Sequence, residues 1–260
     1  MFKQSLVAIA SLVALNAHAL VAGDLAFTSF NADEDGWSMV ALTDIAANTT
    51  VYFSDNEWNG SAIGSGGAFN TNESYSKWLS GSSVINAGTV IRFLATDSAT
   101  LLSSSIGSFS RETVASNTNW GLSNSNETLY AYVGTSATAP TAFLAAITNS
   151  DFGSTDGTLA GTGLTQGLTA NRLNANAPTA TPDYGVYNGV RSGLSSFAAY
   201  MPLVNNPANW TVDTTNGNYA TTVPNTTAFA ITAVPEPESH ALALASLGVF
   251  GLLSRRRQAR

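Results

Sequence analysis

Oxygen-bearing side chains recur at alternate positions in one short turn of this chain. Asn31, Asp33 and Asp35 occupy the first, third and fifth positions of a segment whose sixth residue is Gly36. Calcium loops begin this way, because alternate side chains converge on one ion and glycine allows the sharp turn. The twelfth position is Leu42, where such loops carry a bidentate glutamate. A turn between two strands explains the same residues without a metal.

Two further carboxylates, Asp55 and Glu57, follow a predicted strand. Either one would supply the carboxylate that the turn lacks. The candidate calcium ligands are therefore Asn31, Asp33, Asp35, Asp55 and Glu57. Carboxylates on one strand face also raise the alternative of glycoside hydrolysis, which needs an acid and a nucleophile or base about 5 to 9.5 Å apart. Asn59 nearby is typical of a turn, which is the simpler interpretation of the pair.

Tryptophan offers a second kind of binding chemistry. Trp58 and Trp78 lie among Asn, Gly and Ser residues, and flat indole rings stack on sugar rings in carbohydrate-binding modules. We treat these two residues as a candidate sugar-stacking pair that calcium would assist. The alternative is that both rings anchor the core or a strand end.

The side chains that other kinds of catalytic site need are missing from residues 20–233. The chain has no cysteine, and its two histidines, His18 and His240, lie outside residues 20–233. A disulfide, a thiolate zinc site and a serine nucleophile with a histidine base are therefore excluded from that region. We predict that the protein is not an enzyme and needs no cofactor other than, at most, calcium.

The charge balance of residues 20–233 argues against polyanionic partners. Of the 17 acidic residues, all but Glu236 and Glu238 fall in this range, which leaves 15 against five basic ones. A net charge near −10 opposes binding to nucleic acid. Calcium, which is available outside the cell, suits such a surface.

Short apolar and β-branched runs separated by Asn, Asp, Gly and Ser must position these residues. The clearest predicted strands are residues 25–30, 38–42, 49–53, 90–94 and 128–133. Residues 73–79 resemble a short helix, residues 141–148 fit either a strand or a helix, and residues 209–212 and 227–231 are expected to close the sheet. With long loops expected over residues 150–200, the pattern predicts an all-β sandwich or barrel.

The first 19 residues have the features of a signal peptide. Lys3 provides the positive start, residues 6–15 the apolar helix, and Ala17-His18-Ala19 the cleavage site. We therefore expect export and removal of residues 1–19 by signal peptidase.

Residues 234–260 consist of a proline-containing motif, an apolar segment and a basic cluster, in that order. Val234-Pro235-Glu236-Pro237 breaks the backbone, because proline fixes φ and disfavours a helix before it. Residues 241–253 then form an apolar helix of about 20 Å, which is short for a hydrocarbon core of about 30 Å. The basic cluster that comes next is expected to stay cytoplasmic. It comprises Arg255, Arg256, Arg257 and Arg260.

This order closely resembles the PEP-CTERM protein-sorting tail of Gram-negative bacteria. The resemblance implies an inner-membrane intermediate, processing by a membrane-embedded exosortase near Pro-Glu-Pro, and delivery to the cell surface or the extracellular polymer matrix. An ordinary membrane anchor is the alternative.

A second resemblance lies in the body of the chain. Five segments look like the lamin-tail-like domains of bacterial secreted proteins: residues 23–27, 37–45, 50–58, 85–91 and 121–132. The resemblance implies an immunoglobulin-like β-sandwich. We therefore expect a signal peptide over 1–19, a secreted sandwich over 20–233 and a sorting tail over 234–260. The expected function is structural or adhesive, in association with exopolysaccharide; the alternatives are a calcium-assisted carbohydrate-binding module and a glycoside hydrolase.

Overall fold

The computed structural model describes residues 19–71, 73–114, 119–153 and 155–232. These ranges make up the body of the chain. The predicted signal peptide, apart from Ala19, and the whole sorting tail lie outside them.

Within these ranges, fourteen β-strands form nearly all of the regular structure. They are β1 (Leu25–Asn31), β2 (Gly36–Ala41), β3 (Thr50–Ser54), β4 (Tyr75–Leu79), β5 (Val90–Leu94), β6 (Ser103–Ser104), β7 (Ser108–Glu112), β8 (Thr128–Ser136), β9 (Ala139–Thr148), β10 (Ala170–Arg172), β11 (Tyr184–Tyr187), β12 (Ser192–Leu194), β13 (Trp210–Val212) and β14 (Ala230–Ile231). The same ranges contain four short helical turns: Leu173–Asn176, Phe197–Tyr200, Met201–Val204 and Pro207–Asn209.

The strands assemble into two six-stranded sheets and one small pair. The first sheet has the order β13-β11-β1-β2-β5-β6, and the second has the order β10-β9-β8-β3-β4-β7. All neighbours are antiparallel except β9 and β10. β12 and β14 pair in parallel as a separate two-stranded sheet. The predicted all-β sandwich is confirmed.

Aromatic side chains join the two large sheets. Trp37 of β2 lies 5.0 Å from Phe53 of β3, measured between ring centroids, and Phe53 lies 4.9 Å from Phe93 of β5. Alternation along β3 places Val51 beside Phe53 on the same inner face. Burial of these large rings between the sheets stabilises the sandwich, because the hydrophobic gain scales with the apolar area removed from water.

The outer face of the second sheet has an aromatic core of its own. Tyr130 and Tyr132 point away from the sandwich interior and pack with Phe143, Trp58 and Phe69. The last two residues come from the loop between β3 and β4. The long loops of this region are therefore packed against the sheet.

Three local predictions change. The helix expected over residues 73–79 was wrong, because Tyr75–Leu79 is strand β4, hydrogen-bonded between β3 and β7. The ambiguous residues 141–148 belong to strand β9. Of residues 227–231 only Ala230–Ile231 is a strand, and it joins β12 outside the main sheets. None of the helices in the described ranges is long and apolar enough to cross a membrane.

Candidate metal centre

Three acidic residues meet at one end of the second sheet. Asp55 directly follows β3, Glu73 comes two residues before β4, and Glu127 directly precedes β8. Because β8, β3 and β4 are antiparallel neighbours, the end of β3 lies beside the starts of the other two strands. One carboxylate oxygen from each residue lies within 4.8 Å of the other two. The cluster is therefore a direct result of strand order and direction.

Two of the three side chains are almost fully buried. Asp55 exposes 4% of its surface and Glu127 exposes 2%. Asp55 accepts hydrogen bonds from the backbone N–H of Ser74 at 2.9 Å and from its hydroxyl at 3.2 Å. Glu127 accepts one from the backbone N–H of Ser123 at 2.8 Å. These donors hold the carboxylates in place.

Two buried asparagines position the backbone around the cluster. The Asn56 amide donates to the carbonyl of Ser74 at 2.9 Å, and its oxygen accepts from the N–H of Glu73 at 2.9 Å. Asn149 accepts from the N–H of Glu127 at 2.8 Å and donates to the carbonyl of Ser123 at 3.1 Å. Each amide therefore links two chain segments, which keeps the three carboxylates together.

Burial and mutual repulsion raise the pKa of every member. Burial, followed by repulsion from Glu73, raises the pKa of Asp55 to about 8. Burial, followed by repulsion from Glu57, raises the pKa of Glu73 to about 7. The pKa of Glu127 lies well above its usual range because of burial and then the Asp55 charge. At neutral pH such a cluster holds either protons or a cation.

The basic side chains of the body pair elsewhere. Lys77 binds Glu112 at 2.6 Å, Arg92 binds Glu34, Arg172 binds Asp151 at 3.2 Å, Arg111 lies over Trp120, and Arg191 donates to the carbonyls of Asn225 and Thr227. Asp55 and Glu127 form no ion pair with a lysine or arginine in the described part of the chain. An oxygen-only set of this kind suits a hard cation such as calcium.

Glu57 is the fourth acidic neighbour. Its charge raises the pKa of both Glu73 and Glu127. Its Oε2 atom is buried and has no hydrogen-bond partner among the residues that the structure describes. The predicted ligands Asp55 and Glu57 therefore belong to one acidic neighbourhood, together with two glutamates that were not predicted.

The turn from Asn31 to Asp35 has different partners. The Asn31 amide donates to the carbonyl of Tyr219 at 3.0 Å, and Asp33 accepts from the N–H of Tyr219 at 2.7 Å. Asp35 accepts from the N–H of Leu122 at 2.6 Å. The three side chains therefore connect the turn to two other chain segments, where we expected them to converge on one ion with Asp55 and Glu57.

The two candidate sugar-stacking tryptophans are buried, which corrects that prediction. Trp58 exposes 2% of its surface and donates to the carbonyl of Ser61 at 3.0 Å. Trp78 exposes none and donates to the carbonyl of Ile106 at 2.7 Å. Neither ring has a free face for a sugar. They anchor the two aromatic cores, as the alternative interpretation held.

Sequence reasoning missed Glu73 and Glu127 for different reasons. Glu73 fell inside a segment interpreted as helix, and Glu127 in a turn outside any recognised site. One signal was available, since both carboxylates stand at the start of a strand. Strand-end carboxylates become a site only when the strands are neighbours, and that depends on topology.

Comparison with known proteins gives a match in the C-terminal segment of the chain. Residues 233–258 match the family model described as the PEP-CTERM protein-sorting motif. This chain carries a PEP-CTERM sorting motif. The motif includes Val234, Pro235-Glu236-Pro237 and the arginines Arg255, Arg256 and Arg257. It implies export and processing at a membrane by an exosortase. No curated protein and no solved structure matches the chain.

Proposed function

We propose that the protein is a non-enzymatic surface or extracellular-matrix protein of a Gram-negative bacterium. Signal peptidase removes residues 1–19, an exosortase processes the tail over residues 234–260, and residues 20–233 serve a structural or adhesive role with exopolysaccharide. The match of residues 233–258 to the PEP-CTERM sorting motif carries this proposal. The packing of the body supports a structural role, because buried aromatic side chains hold its long loops against the sheet.

Comparison of two hosts tests the proposal. The full chain is expressed in a host with an intact exosortase and in the same host lacking that enzyme. We expect a shorter protein, whose mass places its last residue near Pro235, in the first host and a membrane-bound precursor in the second. Equal processing in both hosts would contradict it.

A second candidate function is calcium binding at the end of the second sheet. The supporting observation is the convergence of Asp55, Glu73 and Glu127 within 4.8 Å, with Glu57 beside them. Calcium prefers carboxylate oxygens, and bound calcium would replace the protons that burial otherwise favours. The ion would stabilise the sandwich rather than take part in a reaction.

A hydrolytic role for the Asp55 and Glu57 pair has weaker support. Asp55 exposes only 4% of its surface and is held by Ser74. A glycosidase needs both carboxyl groups to reach the scissile bond, with room for a sugar between them. The geometry therefore favours a buried ion over a substrate at these two residues.

Calcium addition is expected to raise the unfolding temperature of the purified protein. At 100 times the dissociation constant, binding to the folded state adds about 2.7 kcal/mol, which is about 5 to 10 °C for a domain of this size. Asp55→Asn with Glu127→Gln should abolish the shift. The matched control, Asp97→Asn with Asp151→Asn, removes two exposed carboxylates elsewhere and should keep it. A wild-type protein unresponsive to calcium would eliminate this candidate.

A further inference from the structure

Both connections to the terminal segments leave from one end of the sandwich. Leu25 at the start of β1 pairs with Ala41 at the end of β2. The N–H of Gly88 donates to the Ala41 carbonyl at 2.7 Å, and the N–H of Phe229 donates to the Gly88 carbonyl at 2.8 Å. We call this end, with β12 and β14 beside it, the exit pole.

Nearly all acidic residues lie at the opposite end, which we call the acidic pole. They occupy the β1–β2 turn, the segments after β3, β5, β9 and β13, those before β4, β8 and β11, and the end of β7. These residues are Asp33, Glu34, Asp35, Asp55, Glu57, Glu73, Asp97, Glu112, Glu127, Asp151, Asp156, Asp183 and Asp213. Antiparallel pairing places the end of each strand beside the start of its neighbour, and all these positions therefore lie at the same end of the sandwich. Asp24 and Asp44 are the two acids of the body at the exit pole.

The exit pole has almost no net charge of its own. Residues 192–232 contain one charged residue, Asp213, and it lies at the acidic pole. Arg191, which is at the exit pole, is occupied by the carbonyls of Thr227 and Asn225 at 2.9 and 3.1 Å. The sandwich is therefore electrostatically polar along its strands.

The chain stays docked to the exit pole up to the sorting motif. Phe229 is buried and lies 5.8 Å from Tyr187 and 5.1 Å from Tyr200, measured between ring centroids. The N–H of Ala230 donates to the Arg191 carbonyl at 2.8 Å, and that of Thr232 donates to the Leu194 carbonyl at 2.9 Å. The matched motif begins at the next residue, 233.

Covalent geometry limits how far the motif can extend from this surface. Pro235 follows Thr232 by three residues, and three fully extended residues span at most about 11 Å. An enzyme that binds Pro235-Glu236-Pro237 must therefore approach the folded exit pole closely. A surface of low charge allows that approach beside anionic lipid headgroups, which would repel the acidic pole.

We propose that the exit pole is a contact surface for the membrane-embedded processing enzyme. The contact surface consists of β12, β14 and Thr232, and the acidic pole faces away from the enzyme. This inference rests on the proposed processing by an exosortase. It adds that the folded sandwich, and not the motif alone, is part of what the enzyme meets.

New charges on the exit pole test the contact. Ile231→Glu and Ile231→Lys, each in the full chain, place a charge on an exposed β14 side chain. Ser192→Glu and Ser192→Lys do the same on β12, so that the result does not depend on the folding of one variant. Leu101→Glu and Leu101→Lys are the controls, because Leu101 is exposed beyond the far end of β5. Conversion of precursor to mature protein is followed over time by pulse-chase.

We expect both signs of charge at residues 231 and 192 to slow processing about fivefold or more, because an unpaired charge in a contact costs on the order of 1 kcal/mol or more. The Leu101 variants should be processed at the wild-type rate. Eight Gly and Ser residues inserted after Thr232 should restore processing of Ile231→Glu, since they move the sandwich away.

Three outcomes would overturn the inference. Unchanged rates in all the pole variants would show that the enzyme does not contact this surface. Slowing by Glu without slowing by Lys would assign the effect to anionic lipid instead. Equal slowing by the Leu101 controls would show a general effect of added charge. A chain with Pro235, Glu236 and Pro237 replaced by alanine is run in parallel: if it too is processed normally, the proposed function fails, and if it is blocked, only the contact is at issue.

Discussion

Replacement of Pro235, Glu236 and Pro237 by alanine is expected to leave a full-length precursor in the membrane. The two prolines are expected to stop the helix predicted over residues 241–253 from extending toward the sandwich, because proline fixes φ and lacks an N–H. Alanine, the best helix former, removes that break and the carboxylate together. The altered chain then presents to the enzyme neither the prolines nor the charge that distinguish the motif.

The measurement is the fraction of mature protein in membrane and extracellular samples, which should fall from nearly complete to undetectable. Pro178→Ala is the control, since it removes an exposed proline of the body. It should be processed normally. Release of the triple variant at its normal mature size would contradict sorting through this motif.

Without calcium, the free energy of unfolding is expected to fall by a few kcal/mol as the pH rises from about 4 to about 8. Folding raises the pKa of Glu73 to about 7 and that of Asp55 to about 8, against ordinary values near 4. Between these limits the folded protein therefore binds more protons than the unfolded chain, and stability declines with pH. The contribution is complete below about pH 4 and is lost above about pH 8.

Denaturant titrations at several pH values measure this slope. Asp55→Asn with Glu127→Gln should flatten it, because neither amide has to ionise. A smaller slope should remain from Glu73, whose pKa burial and then Glu57 raise to about 7, and from Asp35, whose pKa burial also raises to about 7. Calcium should restore the wild-type stability at pH 8, where it replaces the protons. A slope equal in the variant and the wild type would show that the cluster does not cause it.

Local pattern was enough for much of the fold. Short apolar and β-branched runs between turn residues predicted β1, β2, β3, β5 and β8 within one or two residues at most ends, since such patterns depend on neighbours in the chain. The sorting motif could also be recognised from sequence, because Pro235-Glu236-Pro237, the apolar run and the arginines follow one another in one continuous segment. Segment 73–79 failed, because its pairing with β3 and β7 outweighs a local helical preference.

The candidate metal centre required spatial information. Asp55, Glu73 and Glu127 are far apart in the chain and meet only because β8, β3 and β4 are neighbours. Likewise, the burial of Trp58 depends on the loop that covers the outer face of the second sheet, and the burial of Trp78 depends on the packing of the two sheets. Pairwise proximity of this kind depends on strand order, which residue patterns along one chain do not specify.

The distribution of charge separates what the sequence determines from what the tertiary structure determines. Composition establishes that the body carries 15 acidic and five basic residues, and their places beside strand ends can be read in the chain. Which end of the sandwich each residue occupies depends on the direction of its strand. Antiparallel pairing then brings 13 carboxylates to one pole and the route to the sorting motif to the other. The sequence thus determines how many charges the body carries and that a sorting motif follows it. The fold places the carboxylates and the segment that leads to the motif at opposite ends, because antiparallel pairing reverses the direction of neighbouring strands.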